Sequence, residues 1–301
     1  MSLDELETFL TIARVGGFGR AAQVLHRSQP AISRRIDMLE AELRTPLFER
    51  VRGGMLLTEA GRELLPYAER ALAAVKDGTE AVRNVARGDN GTVSLVLVGT
   101  LASTPLAQKL RSFRASHPGI RLLLRTARSA EVSEIVRSGE ATIGLRYFAD
   151  LDAGLACEQV GEETLVVVCA ADHSLAGRRL RDARKLTRER WVAFAPQRER
   201  RETFATVVDE RMRSAGLGAV ETVYIDSLTA QKRFVEAGFG LALVVESAID
   251  EERRRGAVGV IDVPALKGKF PVVLVRRRDG YLSGAARALC RNLGARLGGA
   301  R

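Results

Sequence analysis

Residues 18–50 constrain the fold more than any other part of the chain. Their first half repeats apolar side chains at helical spacing, namely Phe18, Ala21, Ala22 and Leu25. The pattern breaks and then resumes on a second apolar face, formed by Ile32, Ile36, Leu39 and Leu43. At the break, Ser28 is a suitable N-cap, and Pro30 fits the first turn of the next helix, where a missing N–H costs nothing. Two short helices joined by a tight turn are therefore predicted.

The second of these helices carries polar side chains on the face opposite its apolar one. They are concentrated in its first half and comprise Gln29, Ser33, Arg34 and Asp37. A helix-turn-helix has this arrangement, because its buried side fixes the angle between the helices while polar groups near the start of the second helix reach base edges in the major groove. The pattern predicts such a motif from Phe18 to Asp37.

The same region resembles the N-terminal domain of LysR-type transcriptional regulators. The matching segments are Gly17-Phe18 with Ala21-Ala22, Ser28 to Ser33 (SQPAIS), Leu39-Glu40 with Leu43, Pro46 to Arg50 (PLFER), and Leu57-Thr58 with Gly61. They occur in order and without gaps, which is more specific than a bare helix-turn-helix pattern. The resemblance implies a cytoplasmic, DNA-binding homo-oligomer whose C-terminal region binds a small-molecule effector. Its expected partners are double-stranded DNA, the effector, a second copy joined through a linker helix, a homotetrameric assembly and RNA polymerase.

Around the motif, the sequence predicts a winged helix-turn-helix domain over residues 1–58. A first amphipathic helix spans residues 3–15, and the wing is a hairpin of residues 47–51 and 55–58. Thr58 can cap a long helix over residues 59–87, whose apolar stripe is Leu64, Ala68, Ala71, Val75, Val82 and Val85. This stripe needs a partner, either its own domain or, as the resemblance implies, a dimer seam. A break at residues 88–91 places the linker and hinge at residues 59–90.

From residue 91 onward the sequence alternates strand and helix patterns. The predicted strands lie at residues 93–98, 120–125, 141–147, 165–170, around 192, 220–225, 241–245, 258–263 and 272–276, and the helices at 105–115, 130–138, 203–215, 227–237 and 284–297. This alternation predicts an α/β region with parallel sheets and helices on both faces. The resemblance implies that residues 91–301 form an effector-binding domain like a periplasmic solute-binding protein. Subdomain I then contains residues 92–163 and 267–301, and subdomain II contains residues 164–266.

The net charge of +10 does not locate the DNA-binding part. Residues 1–90 contain 13 Lys/Arg and 13 Asp/Glu, so the whole excess comes from residues 91–301. No apolar run is long enough to span a bilayer, and the N-terminus lacks the pattern of a signal peptide, so a cytoplasmic location is expected. The three cysteines, Cys157, Cys169 and Cys290, lie far apart without metal-type spacing. We expect reduced thiols, no metal site and no cofactor.

Nine residues are predicted to contact DNA on the strength of their position and the family motif. They are Arg27, Ser28, Gln29, Pro30, Ala31, Ser33, Arg34, Arg50 and Arg52. Gln29 is suited to an adenine edge, and Arg34 to a guanine edge or a phosphate. Pro30 and Ala31 offer apolar contact to a thymine methyl, while the two wing arginines suit a narrow minor groove. For Arg35, a DNA contact and a solvated surface remain equally open.

Ligands of α/β folds collect at the carboxyl ends of strands, where helix N-termini offer free N–H groups. The candidate effector contacts at such positions are Thr100, Ser103, Thr104, Ser129, Arg146 and Ser227. Arg146 lies at the end of a predicted strand and can clamp a carboxylate in bidentate fashion, which favours a small organic anion. Serine and threonine also cap helices throughout α/β proteins, so each of these is equally compatible with a plain cap.

Three other functions compete with that of an effector-responsive DNA-binding regulator; the SQPAIS-to-PLFER segments argue against a bare solute-binding module, and an enzyme is not expected. One is a regulator that responds to no ligand or to thiol oxidation, and another is a solute-binding module without regulation. The third is an enzyme, but the three histidines (His26, His117 and His173) are scattered, and the chain has no nucleophile elbow, phosphate-binding loop, zinc spacing or dinucleotide fingerprint. No catalytic residue is assigned.

Overall fold

The computed structural model describes residues 1–87, 91–196 and 204–294. Its helices are α1 Leu3–Val15, α2 Phe18–Val24, α3 Gln29–Leu43, α4 Glu59–Arg87, α5 Thr104–Ser116, α6 Ser129–Arg137, α7 Phe204–Ser214, α8 Leu228–Glu236, α9 Asp250–Arg254 and α10 Gly284–Gly294. Its strands are β1 Phe48–Val51, β2 Gly54–Leu57, β3 Gly91–Val98, β4 Ile120–Ala127, β5 Ile143–Tyr147, β6 Leu155–Ala170, β7 Trp191–Ala193, β8 Thr222–Tyr224, β9 Ala242–Val245, β10 Val258–Ile261 and β11 Lys269–Arg277. The hinge predicted at residues 88–90, Thr203 at the start of a predicted helix and residues 295–297 of the last one lie outside the described residues.

Helices α1, α2 and α3 form the predicted three-helix core. It buries the apolar residues that recur at helical spacing, among them Phe9, Ile12, Ala21, Ile32, Ile36 and Leu39. The wing adds Phe48, whose ring centroid lies 5.3 Å from that of Phe9. The periodicity of the sequence therefore predicts the inner face of these helices, except at the end of α3, where Leu43 is 38% exposed.

Strands β1 and β2 pair as the antiparallel hairpin predicted for the wing. The start of the hairpin is held by Glu40 of α3. Its Oε1 accepts hydrogen bonds from the backbone N–H of Leu47 at 2.6 Å and from that of Phe48 at 3.2 Å. One carboxylate thus satisfies two backbone donors and fixes the wing to α3.

Thr58 caps helix α4, as predicted. Its Oγ1 accepts a hydrogen bond from the N–H of Gly61 at 3.1 Å and donates one to the carbonyl oxygen of Pro46 at 2.7 Å. Helix and wing approach so closely that a β-carbon added at Gly61 would lie 2.2 Å from the carbonyl oxygen of Leu47. Only glycine fits at that position without displacing the backbone.

The apolar stripe of α4 divides into two parts. Leu64, Ala68 and Ala71 pack against the three-helix core, so this part follows the own-domain alternative. Further along, Val75 is 46% exposed and Val82 is 73% exposed. The side chain of Val85 lies outside the described part of the chain. The second half of the stripe remains uncovered in a single chain, as a dimer seam requires.

The region after residue 91 contains a mixed sheet with strand order β10-β6-β11-β5-β3-β4, and β9 also pairs with β6. Strands β4, β3 and β5 are parallel, as predicted. The prediction of purely parallel sheets is wrong for the rest, because β11 runs antiparallel to β5 and β6, and β9 and β10 run antiparallel to β6. A separate small sheet is formed by β7 and β8, which are parallel.

Strand β6 is 16 residues long and changes partners along its length. Residues up to Thr164 pair with β11, and from Leu165 onward the strand pairs with β9 and β10. The change falls one residue after the predicted boundary between the two subdomains, which lies between residues 163 and 164. The first half of β6 escaped prediction because Glu158, Gln159, Glu162 and Glu163 interrupt its apolar pattern.

The largest buried side chains of this region include Trp191, Tyr147, Phe113 and Phe270, and they belong to one continuous core. No helix within the described residues is long and apolar enough to cross a membrane. The arrangement brings the carboxyl ends of β3 and β4 and those of β7 and β8 to a shared cavity.

Candidate functional site

Helix α3 begins with the cap that the sequence predicts. Ser28 has an extended backbone, and its Oγ accepts a hydrogen bond from the N–H of Ala31 at 3.4 Å. Pro30 occupies the first turn. Because cap and proline fix the first residue of the helix, they also fix which side chains project outward from its start.

The side chains that project from this helix start form a continuous polar surface. Arg27, Ser28, Gln29, Pro30, Ala31 and Arg34 are exposed and Ser33 is half-buried. We call these seven residues the reading surface. Beneath it, Ile32, Ile36 and Leu39 are buried. Arg50 and Arg52, the two arginines assigned to the wing, are also exposed.

Arg35 does not belong to the reading surface. Its guanidinium is 2.6 Å from an Asp4 carboxylate oxygen and 3.4 Å from Oγ1 of Thr8. Both partners lie on α1, so Arg35 ties α1 to α3. The sequence left two alternatives open for Arg35, a DNA contact and a solvated surface. The structure shows a third arrangement, in which Arg35 pairs within the domain.

A cavity of about 820 Å³ lies where the strands of the α/β region end. It is called the pocket below, and its lining residues are Val98, Gly99, Thr100, Thr126, Ala127, Arg128, Ser129, Glu131, Phe194, Ala195, Pro196, Phe204, Ala205, Tyr224, Ile225, Asp226 and Leu228. Its volume is within the range of small-molecule sites, and its mostly apolar lining with a few polar groups is also typical of them.

Two of the predicted effector contacts, Thr100 and Ser129, line the pocket and are buried. Oγ1 of Thr100 donates a hydrogen bond to the hydroxyl of Tyr147 at 3.1 Å. Burial raises the pKa of Tyr147, so this phenol stays protonated. Next to it, Phe204 packs on Tyr147 with ring centroids 5.1 Å apart and contributes to the pocket wall.

The two parts of the chain match two parts of one protein family. Residues 3–62 match the bacterial regulatory helix-turn-helix proteins of the lysR family, and residues 86–298 match the LysR substrate binding domain. Together these matches cover nearly the whole sequence. The chain belongs to the LysR family of transcriptional regulators.

Several relatives of this LysR-family chain are similar over most of their length. The HTH-type transcriptional regulator TfdS of Cupriavidus pinatubonensis is 32% identical over 282 residues, which is 93% of each protein. The HTH-type transcriptional regulator CfxR of Cupriavidus necator is 30% identical over 264 residues, covering 87% of this chain and 81% of CfxR. Like them, this chain is a DNA-binding transcriptional regulator with an effector-binding domain.

Solved structures give the same result. CbnR, a LysR family transcriptional regulator, aligns with a TM-score of 0.65 and 25% identity over 98% of this chain and 100% of CbnR. Full-length CbnR complexed with its target DNA aligns with a TM-score of 0.62 and 26% identity, covering 97% of this chain and 99% of that one. A full-length OxyR variant of Pseudomonas aeruginosa has a TM-score of 0.69 at 21% identity, covering 97% of this chain and 94% of that one, and shares the fold.

The carboxylate clamp assigned to Arg146 of this LysR-family regulator is wrong. Arg146 is 3% exposed and does not line the pocket. Its guanidinium donates hydrogen bonds to Ser133 Oγ at 2.6 Å and to the Tyr147 carbonyl oxygen at 3.2 Å, and it forms an ion pair with Asp150. Burial would raise the pKa of Asp150, but hydrogen bonds from Ser133 and the Asp152 N–H, together with the Arg146 charge, hold it below the usual value. A guanidinium engaged in this way serves the fold rather than a ligand.

Three other predicted effector contacts also lie away from the pocket lining. Ser227 caps α8, and its Oγ accepts a hydrogen bond from the Ala230 N–H at 3.4 Å. Ser103 lines a different groove, beside α5 and β4, and Thr104 is the first residue of α5. For Ser227 the plain-cap alternative is correct, because the residues on either side of it face the pocket while it does not.

The six predicted effector contacts do not include the side chains that give the pocket its character, although the stretches 126–129 and 226–227 fit as ligand positions at strand ends. Arg128, Glu131 and Asp226 bring charges to it, and Phe194, Phe204 and Tyr224 bring aromatic rings. Arg128 and Asp226 adjoin Ser129 and Ser227, so their nearness to strand ends was a usable signal. The three aromatic residues carry no comparable signal, because aromatic side chains are common in any core.

Two of the three cysteines, Cys169 and Cys290, give no support to a thiol-based signal. Cys169 is fully buried, and this burial raises the pKa of its thiol to about 11. Burial also raises the pKa of Cys290. Thiols held in the protonated form react slowly with oxidants. Among the described residues, no group of three or more His, Cys, Asp or Glu side chains is placed to hold a metal ion.

Proposed function

We propose that this regulator reads DNA with the reading surface of α3 in the major groove, while Arg50 and Arg52 of the wing reach the adjacent minor groove. The observation that carries the proposal is the outward position of Gln29, Ser33 and Arg34 above the buried Ile32 and Ile36. Amide and guanidinium groups at the start of a helix match the hydrogen-bonding edges of adenine and guanine. The DNA-binding domain in this proposal comprises residues 1–58.

The proposal includes a homodimer formed through the linker helix, residues 59–90. Val75 and Val82 support it, since both are apolar, exposed and on the α4 stripe. Two DNA-binding domains related by a two-fold axis require a pseudo-palindromic site, with half-sites about one helical turn of DNA apart. A homotetramer, a contact with RNA polymerase and a cytoplasmic location complete this part of the proposal and are supported by the family resemblance.

The effector-binding domain of the proposal comprises residues 91–301, with subdomain I at residues 92–163 and 267–301 and subdomain II at residues 164–266. We infer that a small organic anion binds in the pocket, near Thr100 and Ser129. The α6 N-terminus supports this inference, because its free N–H groups and positive dipole end favour a negative charge. An effector acts only by binding one state of the protein more tightly than another, and the closure of the two subdomains is the element proposed to differ between states.

The DNA-reading part is tested by replacing Arg34 with alanine in the full-length chain. Loss of one base or phosphate contact should weaken binding to the cognate promoter by ~1–3 kcal/mol, measured by fluorescence titration with a labelled duplex. Arg70→Ala serves as the matched control, because Arg70 is an exposed arginine on α4 that stacks on Tyr67. Equal affinities for wild type and Arg34→Ala would exclude Arg34 from the interface.

A further inference from the structure

Three charged side chains line the pocket, namely Arg128, Glu131 and Asp226, and of these Glu131 already accepts a hydrogen bond from the Arg128 backbone N–H. Arg128 follows β4, and Asp226 follows β8, so they reach the pocket from strands of different sheets. Both are exposed, and within the described residues neither side chain forms an ion pair or a hydrogen bond. A pocket that presents one unpaired cation and one unpaired anion can select a ligand by both of its charges.

The Arg128 end of the pocket is built for an anion. Arg128 immediately precedes α6, and its backbone N–H donates to Glu131 Oε2 at 3.1 Å, so a guanidinium lies beside the positive end of a helix. Ser129 is only 4% exposed and lines the pocket, and its hydroxyl has no hydrogen-bond partner in the described part of the chain. This hydroxyl is therefore available to form a hydrogen bond with a ligand oxygen.

The Asp226 end of the pocket has the opposite character. The carboxylate of Asp226 lies next to the apolar lining residues Tyr224, Ile225 and Leu228. A second carboxylate placed here would be repelled, whereas an ammonium group would form a charge-assisted hydrogen bond. The pocket is also lined by Phe194 and Phe204, so the body of the ligand should be apolar as well.

We propose that the effector is an amino carboxylate with an apolar body. Its carboxylate binds at Arg128 and Ser129, and its ammonium group binds Asp226. This proposal rests on the pocket being the effector site, as argued under the proposed function, and narrows the ligand from any organic anion to a zwitterion. The apolar body occupies the cavity between the charged ends.

The test compares matched pairs of probes that differ only by an amino group. The pairs are L-phenylalanine with 3-phenylpropanoate, 6-aminohexanoate with hexanoate, and 4-(aminomethyl)benzoate with 4-methylbenzoate, so that the spacing of the two charges also varies. Thermal shift and calorimetry are performed on the full-length chain and on Asp226→Asn. Asp172→Asn is the control, because Asp172 is an exposed acid that does not line the pocket.

At least one amino carboxylate should bind the wild type about tenfold or more tighter than its deaminated partner. Asp226→Asn should remove that preference, and Asp172→Asn should keep it. If the simple carboxylates bind as tightly as the amino carboxylates in the wild type, the zwitterion is refuted while the organic-anion pocket stands. If no probe in either set binds, both the zwitterion and the anion pocket are contradicted.

Discussion

The reading surface and the pocket differ in how far apart in the sequence their residues lie. The reading surface is contained in residues 27–34, whereas the pocket draws its lining from positions between Val98 and Leu228. One helix with one buried face is enough to present the reading surface. The pocket exists only because four strands end at the same place and α6 and α8 begin beside it.

This difference determines how each site tolerates substitution. Apart from the cap Ser28 and Pro30, a change on the reading surface removes a contact and leaves the helix intact, because the opposite face carries the packing energy. A change near the pocket can act through the strands and buried pairs that assemble it, as with Arg146. In the α/β region, the distance of a residue from the ligand therefore predicts poorly how much its substitution affects binding. In the DNA-binding domain, the distance from the DNA predicts this effect better.

The largest loss of stability is expected in the DNA-binding domain, at the close approach of Gly61 to Leu47. Gly61→Ala places a methyl group 2.2 Å from the Leu47 carbonyl oxygen and should destabilise the N-terminal domain by more than ~3 kcal/mol, because the clash is with backbone. Gly78→Ala, on the same helix with nothing within 4 Å, should instead stabilise it by ~0.5–1 kcal/mol. Urea unfolding followed by circular dichroism measures both. Similar values for the two variants would show that the wing is not held against α4.

A somewhat smaller loss is expected from Arg146→Met in the α/β region. It removes the partner of the half-buried Asp150 carboxylate and should cost at most roughly 3 kcal/mol, the lower end for buried pairs, because Asp150 keeps contact with solvent. Adding Asp150→Asn should recover part of the loss. Thermal unfolding of the single and double variants is the measurement. An unchanged melting temperature for Arg146→Met would mean that the pair of Arg146 with Asp150 does not stabilise the fold.

The smallest effect on stability is expected at Glu163, which lies on β6 close to the point where this strand changes from pairing with β11 to pairing with β9 and β10. Burial raises its pKa, although a hydrogen bond from Ser247 partly offsets this. A carboxyl group whose folded-state pKa lies above its unfolded value makes stability fall as pH rises from the unfolded pKa through the folded one. The stability of Glu163→Gln should not show this fall with rising pH, so at neutral pH the variant should be more stable than the wild type. Urea melts from pH 4 to 8 test this.

Glu162→Gln is the matched control for this pH dependence. Glu162 is exposed, and a hydrogen bond from Lys269 lowers its pKa. Its contribution therefore has the opposite sign, present above the unfolded pKa and lost as pH falls. If wild type and Glu163→Gln show the same dependence on pH, the raised pKa of Glu163 is contradicted.

Sequence reasoning succeeded where one element decides the outcome. The apolar spacing from Phe18 to Leu43 and the caps Ser28 and Thr58 predicted α2, α3 and the start of α4 directly. Prediction from the sequence failed where the pairing of strands distant in the sequence determines the structure. The polar first half of β6 became a strand because β11 pairs with it, and Arg146 became a buried partner of Asp150 because β5 is covered on both faces. Neither outcome is encoded in a local period of the sequence.

The central claim is that the reading surface distinguishes one DNA sequence from another. It is tested most directly by the ratio of affinities for the cognate promoter and a scrambled duplex, measured by fluorescence anisotropy at fixed salt for wild type and Gln29→Ala. Loss of a base-edge contact of ~1–3 kcal/mol should lower this ratio about tenfold while affinity for the scrambled duplex stays constant. Gln108→Ala, an exposed glutamine on α5, should leave the ratio unchanged. An undiminished ratio for Gln29→Ala would contradict the account.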